Sequence, residues 1–295
     1  MARLGVGMMT VPRQVSEGRL VCPRTRSRLT LDRDVLRSVE GEFAYPVIGG
    51  VPRLLVDPAA ATPDSTMYLE YSRWRRSLKD VLVAWSEVGG EVRSRQASRA
   101  LHAAVPERSD DGLFLSIGGG PRRILESLVN LNLDAFRNVD VVADAHRLPY
   151  ADGSVDGIHC EAVLEHLENP AEAVAEMSRS LRAGGRVFAA TPFLQSYHGY
   201  PDHFQNFTLT GHQTLFRRAG LQLVDSGACV GPAFALADLT RNFLRTQFPG
   251  GTLGKLAARL YWPAALPFRW LDFVLLRRSL ASGLCSTTYV LAEKP

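Results

Sequence analysis

The sequence predicts an α/β fold in which a mainly parallel sheet carries helices on its faces. From residue 113 onward, short apolar runs alternate with helical patterns, as they do in such sheets. The first of these runs ends in the turn Gly118-Gly119-Gly120, and a sharply bounded helix follows Asn169-Pro170. The 295 residues, 46% of them hydrophobic and 22% charged, are enough for one large globular domain and a small appendage.

Seven strands and three helices are predicted in this region. The strands are placed at 113–117, 129–133, 139–143, 155–160, 186–191, 221–224 and 287–292, with helices at about 121–128 and 210–219. The best-marked helix has Asn169 as its cap, Pro170 in its first turn and Glu172 at the capping-box position. It is expected to end at Gly184-Gly185, and its sheet-facing residues are Val174, Met177 and Leu181.

Three parts of the chain differ in pattern. Residues 1–62 form a small segment and a linker, 63–111 a helical connector, and 112–295 the main domain. Apolar residues of the connector recur at helical spacing, which is more typical of core packing than of a binding site. They are Tyr68, Tyr71, Trp74, Leu78, Val81, Leu82 and Trp85.

Composition limits the compartment and the partners. The four cysteines share no C-x-x-C spacing, so neither a disulfide framework nor a metal cluster is indicated, and a reducing cytoplasm fits best. No apolar run reaches the roughly 18 residues of a membrane span. Residues 241–278 hold seven basic side chains against one acid, Asp272. This stretch either meets an anionic or membrane surface or forms a helical cover whose arginines extend outward.

Polar residues follow the strands at the edge where open α/β sheets bind ligands. A glycine turn such as 118–120 tolerates positive φ and close ligand approach, although alone it also fits an ordinary tight turn. Asp144-Ala145 ends the third strand, and Glu161 ends the fourth.

The ordered set of motifs resembles a known family. Residues 144–192, DAHRLPYADGSVDGIHCEAVLEHLENPAEAVAEMSRSLRAGGRVFAATP, resemble class I S-adenosylmethionine (SAM)-dependent methyltransferases of the type 11 branch. The resemblance extends over about 113–223. It implies a Rossmann-like sheet with helices on both faces, SAM as cofactor, and methyl transfer as the activity.

The resemblance also implies roles for individual residues. The glycine turn would approach the methionine part of SAM, Asp144 would accept from the adenine amino group, and the Ala145 amide would meet a ring nitrogen. The ribose-binding acid of the family falls on Asn132, with Asp134 two residues later. The cofactor-binding set is therefore Gly118, Gly119, Gly120, Asn132, Asp144, Ala145 and Glu161, and Ser116, Pro121 and Asn132 depart from the family pattern.

Three histidines are candidates for work on the methyl acceptor. His166 follows the fourth strand, and His198 and His203 lie in the polar, aromatic loop after the fifth. Histidine is suited to removing a proton near neutral pH. The alternatives are that His166 packs its helix and that the loop binds substrate without supplying a base, with Asp202 orienting a histidine or capping a turn.

The N-terminal segment resembles a Trm112-like zinc ribbon in LVCPRTRSRLTL and LRSVEGEFAYPVIGGVPRLL. A metal-binding version has four cysteines. Here only Cys22 remains, because Thr25, Ser38 and Gly41 occupy the other positions. Tetrahedral zinc needs four good ligands, so a metal-free segment is expected, and the sequence predicts no metal site.

The leading hypothesis is methyl transfer to a small-molecule, sugar or lipid-type acceptor, most plausibly on oxygen. The Trm112-like start and the basic stretch keep a nucleic-acid or protein methyltransferase as an alternative, although no N-P-P-Y or D-P-P-Y motif follows the fourth strand. A non-catalytic SAM-binding scaffold is the third reading, for which Ser116, Pro121 and Asn132 argue.

Overall fold

A computed structural model of the protein describes residues 10–57, 91–107, 111–121, 123–199, 202–247 and 251–295. The predicted linker after residue 57 and the aromatic stripe at 68–85 lie outside the described residues. The division into 1–62, 63–111 and 112–295 stays a prediction.

The strands form one eleven-stranded sheet in the order β1-β2-β3-β4-β7-β6-β5-β8-β9-β11-β10. Neighbours from β4 to β9 are parallel, and β10 and β11 complete the sheet in antiparallel register. The strands are β1 (Leu29–Asp32), β2 (Val35–Ser38), β3 (Ala44–Ile48), β4 (Val51–Leu54), β5 (Phe114–Ile117), β6 (Val129–Asn132), β7 (Val141–Ala143), β8 (Val155–Glu161), β9 (Leu181–Pro192), β10 (Gln222–Val230) and β11 (Thr287–Glu293).

Helices flank the sheet and form much of the C-terminal part of the chain. They are α1 (Val11–Ser16), α2 (Arg95–Ala104), α3 (Pro170–Ser180), α4 (Leu209–Arg218), α5 (Pro232–Gln247), α6 (Thr252–Ala264), α7 (Leu266–Arg269) and α8 (Asp272–Leu275). Short 3-10 turns occur at Ala145–Arg147, Leu164–His166 and Ser279–Gly283. None of the helices in the described ranges is long and apolar enough to cross a membrane.

Strand β9 shows how both faces of the sheet are covered. Alternate residues of a strand point to opposite faces. Phe188 and Ala190 pack with Ala97 and Leu101 of α2 in one buried cluster. Val187 and Ala189 pack in a second buried cluster, which contains Val174 and Met177 of α3 and Phe216 of α4. The predicted layered architecture, with helices on both faces, is confirmed.

The strand order places a crevice beside β5. The chain runs from β5 outward to β6 and β7, then returns to the other side of β5 with β8. Loops that leave neighbouring strands in opposite directions open a space at their carboxyl ends, where open α/β sheets bind ligands.

The predicted helix at 121–128 is wrong, because residues 121 and 123–128 form turns. Only eight residues remain between the glycine turn and β6, and a helix that short repays little of its nucleation cost. Side chains instead bind the backbone carbonyls of this segment. Arg123 donates to the Leu128 carbonyl over 2.5 Å, and Asn138 donates to the Pro121 carbonyl over 2.8 Å.

The end of the best-marked helix was also misplaced. Helix α3 begins at Pro170 as predicted but ends at Ser180, and the Asn169 side chain makes no capping hydrogen bond. Gly184 and Gly185 lie inside β9, next to a register shift between β8 and β9. The glycine pair therefore serves an irregularity within a strand rather than a helix end.

The N-terminal strands continue the same sheet. Strands β1 to β4 pair in antiparallel order, and β4 then pairs in parallel with β7 through Arg53 and Leu54. The buried Cys22 thiol lies 3.1 Å from the Tyr45 hydroxyl, so this residue packs inside the segment. The resemblance of the segment to a zinc ribbon stays a prediction.

Candidate active site

A cavity of about 950 Å³ opens at the carboxyl ends of β5, β6, β7 and β8. This volume is at the upper end of the range for small-molecule sites, so it has room for two ligands side by side. Its lining includes every residue predicted to bind the cofactor, together with His166 and His198. These are Gly118, Gly119, Gly120, Asn132, Asp144, Ala145 and Glu161.

The turn after β5 needs its glycines for different reasons. Gly118 has φ of +67°, and a Cβ there would lie 2.3 Å from a methyl carbon of Val163. Gly120 has φ of +58° and faces open space. A Cβ on Gly119 would lie 2.3 Å from Oδ1 of Asn130, so it would disturb the base of the turn and not only the ligand space.

Asp144 presents a carboxylate to the cavity from the end of β7. Its Oδ1 accepts the His146 amide over 2.9 Å and faces His146 Nδ1 at 2.8 Å, which leaves Oδ2 for a ligand. Burial opposes ionisation of Asp144, but the hydrogen bonds from His146 outweigh it and lower the pKa of the carboxyl. The hydrogen bond between the His146 ring and the Asp144 carboxylate raises the pKa of His146.

The tip of β6 carries the two candidates for a ribose contact. Asn132 and Asp134 both line the cavity. The Asn132 amide donates to the Asp134 carbonyl over 3.2 Å, which orients its Oδ1 as an acceptor. The Asp134 side chain is largely buried.

Known proteins with similar sequences identify the family of this chain. A family model described as a methyltransferase domain matches residues 124–189. The uncharacterized 37.1 kDa protein in transposon TN4556 of Streptomyces fradiae is 32% identical over 240 residues, which are 72% of this chain and 67% of that protein. An uncharacterized chloroplastic methyltransferase of Arabidopsis thaliana is 46% identical over 157 residues. The chain belongs to the SAM-dependent methyltransferases.

This methyltransferase spans different fractions of the lengths of its relatives. The match covers 51% of this chain and 41% of the Arabidopsis protein. Among solved structures, a SAM-dependent methyltransferase from Archaeoglobus fulgidus is 16% identical with a TM-score of 0.44, over 78% of this chain and 100% of that one. Haemonchus contortus phosphoethanolamine N-methyltransferase 2 with SAM is 15% identical with a TM-score of 0.42, over 73% and 56%.

The residues of the cavity fit SAM, the cofactor of the methyltransferase. SAM combines an adenine amino group and ribose hydroxyls, which donate hydrogen bonds, with an amino-acid part that needs close backbone approach. Asp144 offers an ionised acceptor at one end of the cavity. The positive-φ turn at Gly118 and Gly120 offers backbone without Cβ obstruction at the other.

A polar chain beneath the cavity fixes Glu161. The Glu161 carboxylate faces His159 Nε2 at 3.3 Å and forms an ion pair with Arg93. The other ring nitrogen of His159 lies 3.3 Å from the Ser116 hydroxyl. Burial alone would raise the pKa of Glu161, but the hydrogen bond from His159 and the charge of Arg93 lower it. Ser116 departs from the family pattern, and its hydroxyl has His159 as its hydrogen-bond partner.

The loop after β9 brings His198 next to His166, which follows β8. His166 Nδ1 lies 2.5 Å from the Asp202 carbonyl, and the Phe204 amide donates to the Glu165 carbonyl over 2.8 Å. His203 is not among the lining residues of the cavity. Its Nδ1 accepts the His198 amide over 3.1 Å, and its Nε2 donates to Asn206 over 2.7 Å.

Sequence reasoning missed Arg93, His159 and Glu165. Arg93 is 68 positions from Glu161, and no local pattern joins them. His159 lies within a strand whose neighbours are apolar, so it reads as core. Glu165 could have been found from the sequence. It is a charged residue directly before His166, and it follows a buried strand at the edge of the sheet where ligands bind.

Proposed function

We propose that the protein transfers a methyl group from SAM to an oxygen of a small-molecule, sugar or lipid-type acceptor. The observation that carries this proposal is the convergence of the glycine turn, Asp144 and the His166–His198 pair on a single cavity. The first two features suit the methyl donor, and the histidine pair suits a hydroxyl beside it.

The donor end is assigned residue by residue. Asp144 Oδ2 accepts from the adenine amino group and Ala145 contributes its backbone. Asn132 or Asp134 holds the ribose hydroxyls, and the glycine turn receives the methionine part. Arg93 and His159 hold the Glu161 carboxylate in place, so it lines the cavity as a fixed negative charge. When bound, SAM supplies a methyl group on a sulfonium centre, which an oxygen lone pair can attack.

The acceptor end is formed by histidines. The Nδ1 atoms of His166 and His198 face backbone carbonyls, so in the neutral rings their Nε2 atoms carry the lone pairs. Either lone pair can contact an acceptor hydroxyl and help remove its proton. His203 is a positioning residue in this proposal, because both its nitrogens hold the loop.

Binding of SAM to two variants tests the donor site. Asp144→Ala removes a charged acceptor, which costs about 1.5–3 kcal/mol and weakens binding about 10- to 150-fold. Asp111→Ala removes an exposed carboxylate paired with Arg13 and is the matched control. Calorimetry in which both variants bind SAM like the unmodified protein contradicts the placement. SAM binding without transfer to any hydroxylated extract component, followed with labelled methyl, supports the scaffold alternative instead.

The C-terminal helices present an unusual apolar surface. Of the twenty large apolar side chains exposed among the described residues, thirteen lie between 236 and 284. Leu236, Leu239 and Phe243 recur at i, i+3 and i+7 along α5. Helix α6 repeats this spacing with Leu253, Leu256 and Leu260, while its opposite side buries Gly254, Ala258 and Trp262. Both helices thus turn an apolar stripe outward.

The exposed charges of residues 241–278 are of one sign. Asp272, the single acid of 241–278, is fully buried and accepts the Ala233 and Phe234 amides at the start of α5. The described exposed charges of this stretch are therefore all positive. They belong to Arg245, Lys255, Arg259, Arg277 and Arg278. Arg269 is an exception to the sequence reading, because it is buried over the Trp262 ring.

We infer from this combination that the surface binds an anionic lipid surface and that the acceptor is anionic or lipid-linked. Exposed apolar stripes bordered by cations are the features of an interfacial helix. The charge of His198, on the acceptor side of the cavity, acts on Asp238 of α5, the helix that carries the first stripe. Burial raises the pKa of Asp238, and the charges of Arg241 and His198 oppose this shift.

Vesicle sedimentation tests the lipid proposal. The protein should sediment with phosphatidylglycerol vesicles and not with phosphatidylcholine, and added salt should release it. Replacing Lys255, Arg259, Arg277 and Arg278 by glutamine should abolish sedimentation. The control carries Arg217→Gln and Arg218→Gln on α4, outside this surface. Absence of sedimentation, or equal sedimentation of both variants, contradicts the proposal, and concentration-dependent dimers with no lipid binding assign the stripes to a second copy.

A reducing cytoplasm remains our proposal for the compartment. All four cysteines are free thiols and buried, which fits a protein that needs no disulfide. The N-terminal segment is proposed to be metal-free, since Cys22 packs against Tyr45.

A further inference from the structure

Three potential metal ligands meet at the acceptor side of the cavity. Glu165 Oε1, His166 Nε2 and His198 Nε2 all lie within 4.8 Å of one another. The carboxylate oxygen is 3.8 Å from His166 Nε2 and 3.9 Å from His198 Nε2. These separations are too long for hydrogen bonds and lie within ion-pair distance when a histidine is protonated.

Glu165 is the residue that needs an explanation. Its side chain is fully buried, and its Oε2 accepts the Thr191 hydroxyl over 3.0 Å. Its Oε1 has no hydrogen-bond partner among the described residues. A buried carboxylate oxygen without a partner costs free energy, so a cation beside it would satisfy an otherwise unmet demand.

The two histidines are oriented as metal ligands are. His166 Nδ1 faces the Asp202 carbonyl at 2.5 Å, and His198 Nδ1 faces the Ser196 carbonyl at 3.1 Å. Because a carbonyl only accepts, each Nδ1 carries a proton, and in the neutral ring each Nε2 then has a lone pair. Metal-binding histidines are held in this way, with the second nitrogen donating to a carbonyl or carboxylate, and Thr191 does the same for Glu165.

We infer that Glu165, His166 and His198 bind a divalent transition-metal ion at the acceptor side of the cavity. Two imidazoles and one carboxylate are a recurring ligand set for catalytic Zn²⁺ and for Fe²⁺. Bonds of about 2.0–2.2 Å separate neighbouring ligands on an ion by about 3.4 Å. Each histidine nitrogen is within some tenths of an ångström of that distance from Glu165 Oε1, and the two Nε2 atoms, which lie within 4.8 Å of each other, would approach by up to about 1.4 Å. His166 and His198 both line the cavity, so the remaining coordination positions open into it.

The sequence predicted no metal site, and that expectation rested on missing cysteines. The structure gathers a different donor set from residues 165, 166 and 198.

This inference deepens the proposed function and rests on it for its chemical meaning. With the ion bound, His166 and His198 act as its ligands and not as direct bases, because their Nε2 lone pairs lie on the ion. A hydroxyl on the ion loses its proton to solvent water more readily, since a bound cation stabilises the oxyanion. The oxygen–methyl bond then forms as the methyl–sulfur bond breaks. The sulfonium becomes a neutral thioether, and no oxidant or reductant is needed.

Metal binding is measured directly, with the full chain and the metal alone. Equilibrium dialysis against Zn²⁺, and the visible absorption of Co²⁺, should show one ion per chain. Glu165→Gln and His198→Ala should each weaken binding at least tenfold. His102→Ala, an exposed histidine on α2, is the matched control, and Cys22→Ser tests the N-terminal segment; both should bind like the unmodified protein.

The outcomes separate this inference from the proposed function. No bound ion in the unmodified protein, or equal binding by both ligand variants, overturns the metal site even if SAM binds and methyl transfer occurs. Loss of binding only in Cys22→Ser would place the ion in the N-terminal segment and also overturns it. Should Glu165→Gln fail to fold, His198→Ala decides, because His198 is half-exposed and its removal leaves the core intact.

Discussion

His212 should make the protein lose stability in mild acid. The side chain lies in α4, is fully buried, and has Nδ1 at 3.1 Å from the Thr288 hydroxyl. That hydroxyl is 3.5 Å from the Thr191 carbonyl, so it donates there and accepts from His212. Nε2 is buried with no hydrogen-bond partner in the described part of the chain, so a second proton would be unpaired. Burial therefore lowers the pKa of His212 to about 3.

The sign and size of the effect follow from proton linkage. The folded pKa of His212 lies below the value of 6.5 for an unfolded chain, so the unfolded state binds the proton first as pH falls. The stabilising effect of neutral His212 is complete above pH 6.5 and declines below it by about 1.4 kcal/mol per pH unit. At pH 5 the loss relative to pH 7.5 is about 2 kcal/mol, and it depends little on the folded value because that value is far lower.

Urea unfolding at pH 7.5, 6.5, 5.75 and 5.0 measures this loss. His212→Gln lowers stability at every pH by removing a packed ring, but it should reduce the decline between pH 7.5 and 5.0 by about 2 kcal/mol. A decline identical in the two proteins refutes the reasoning. Histidine NMR on the folded protein gives a second check, since a His212 ring that becomes protonated above pH 5 contradicts the buried neutral state.

Three further predictions concern the turn, the C-terminal helices and the thiols. Gly118→Ala should weaken SAM binding at least tenfold, because the new Cβ meets Val163 and the residue needs positive φ; binding equal to that of the unmodified protein in calorimetry would count against the turn. Asp272→Ala should lower the free energy of unfolding by about 3 kcal/mol, since two buried backbone amides lose their acceptor, and urea titration checks this. Cys229 and Cys285, whose pKa values burial raises to about 12, should react with a thiol reagent only after unfolding; rapid labelling of the folded protein would contradict their burial.

The parts of the fold that sequence predicts are those with short-range signals. Apolar runs located β5 to β8 and β11 to within two residues, and Pro170 marked the start of α3. Strand β9 begins five residues before its predicted start, and β10 ends six residues after its predicted end. Where two readings compete locally, sequence fails. Gly184 and Gly185 are as suitable for an irregular strand as for a helix end, and only pairing with β8 decides between them.

Sequence also fails where distant residues meet. The partners of Glu161 and Glu165 come from positions 93, 191 and 198, so no window of the sequence shows them together. Arg269 is the reverse case. It belongs to a basic stretch by composition, yet the Trp262 ring covers its guanidinium, and burial removes it from the surface.

Hydrogen exchange with and without SAM tests the central claim most directly, namely that the cavity beside β5 holds the methyl donor. Saturating SAM should protect backbone amides at 118–120, 132–136 and 144–146, the segments that line the donor side of the cavity. Amides of β1 and β2, outside that lining, should exchange at unchanged rates. Binding of SAM with protection confined to other segments would contradict the account.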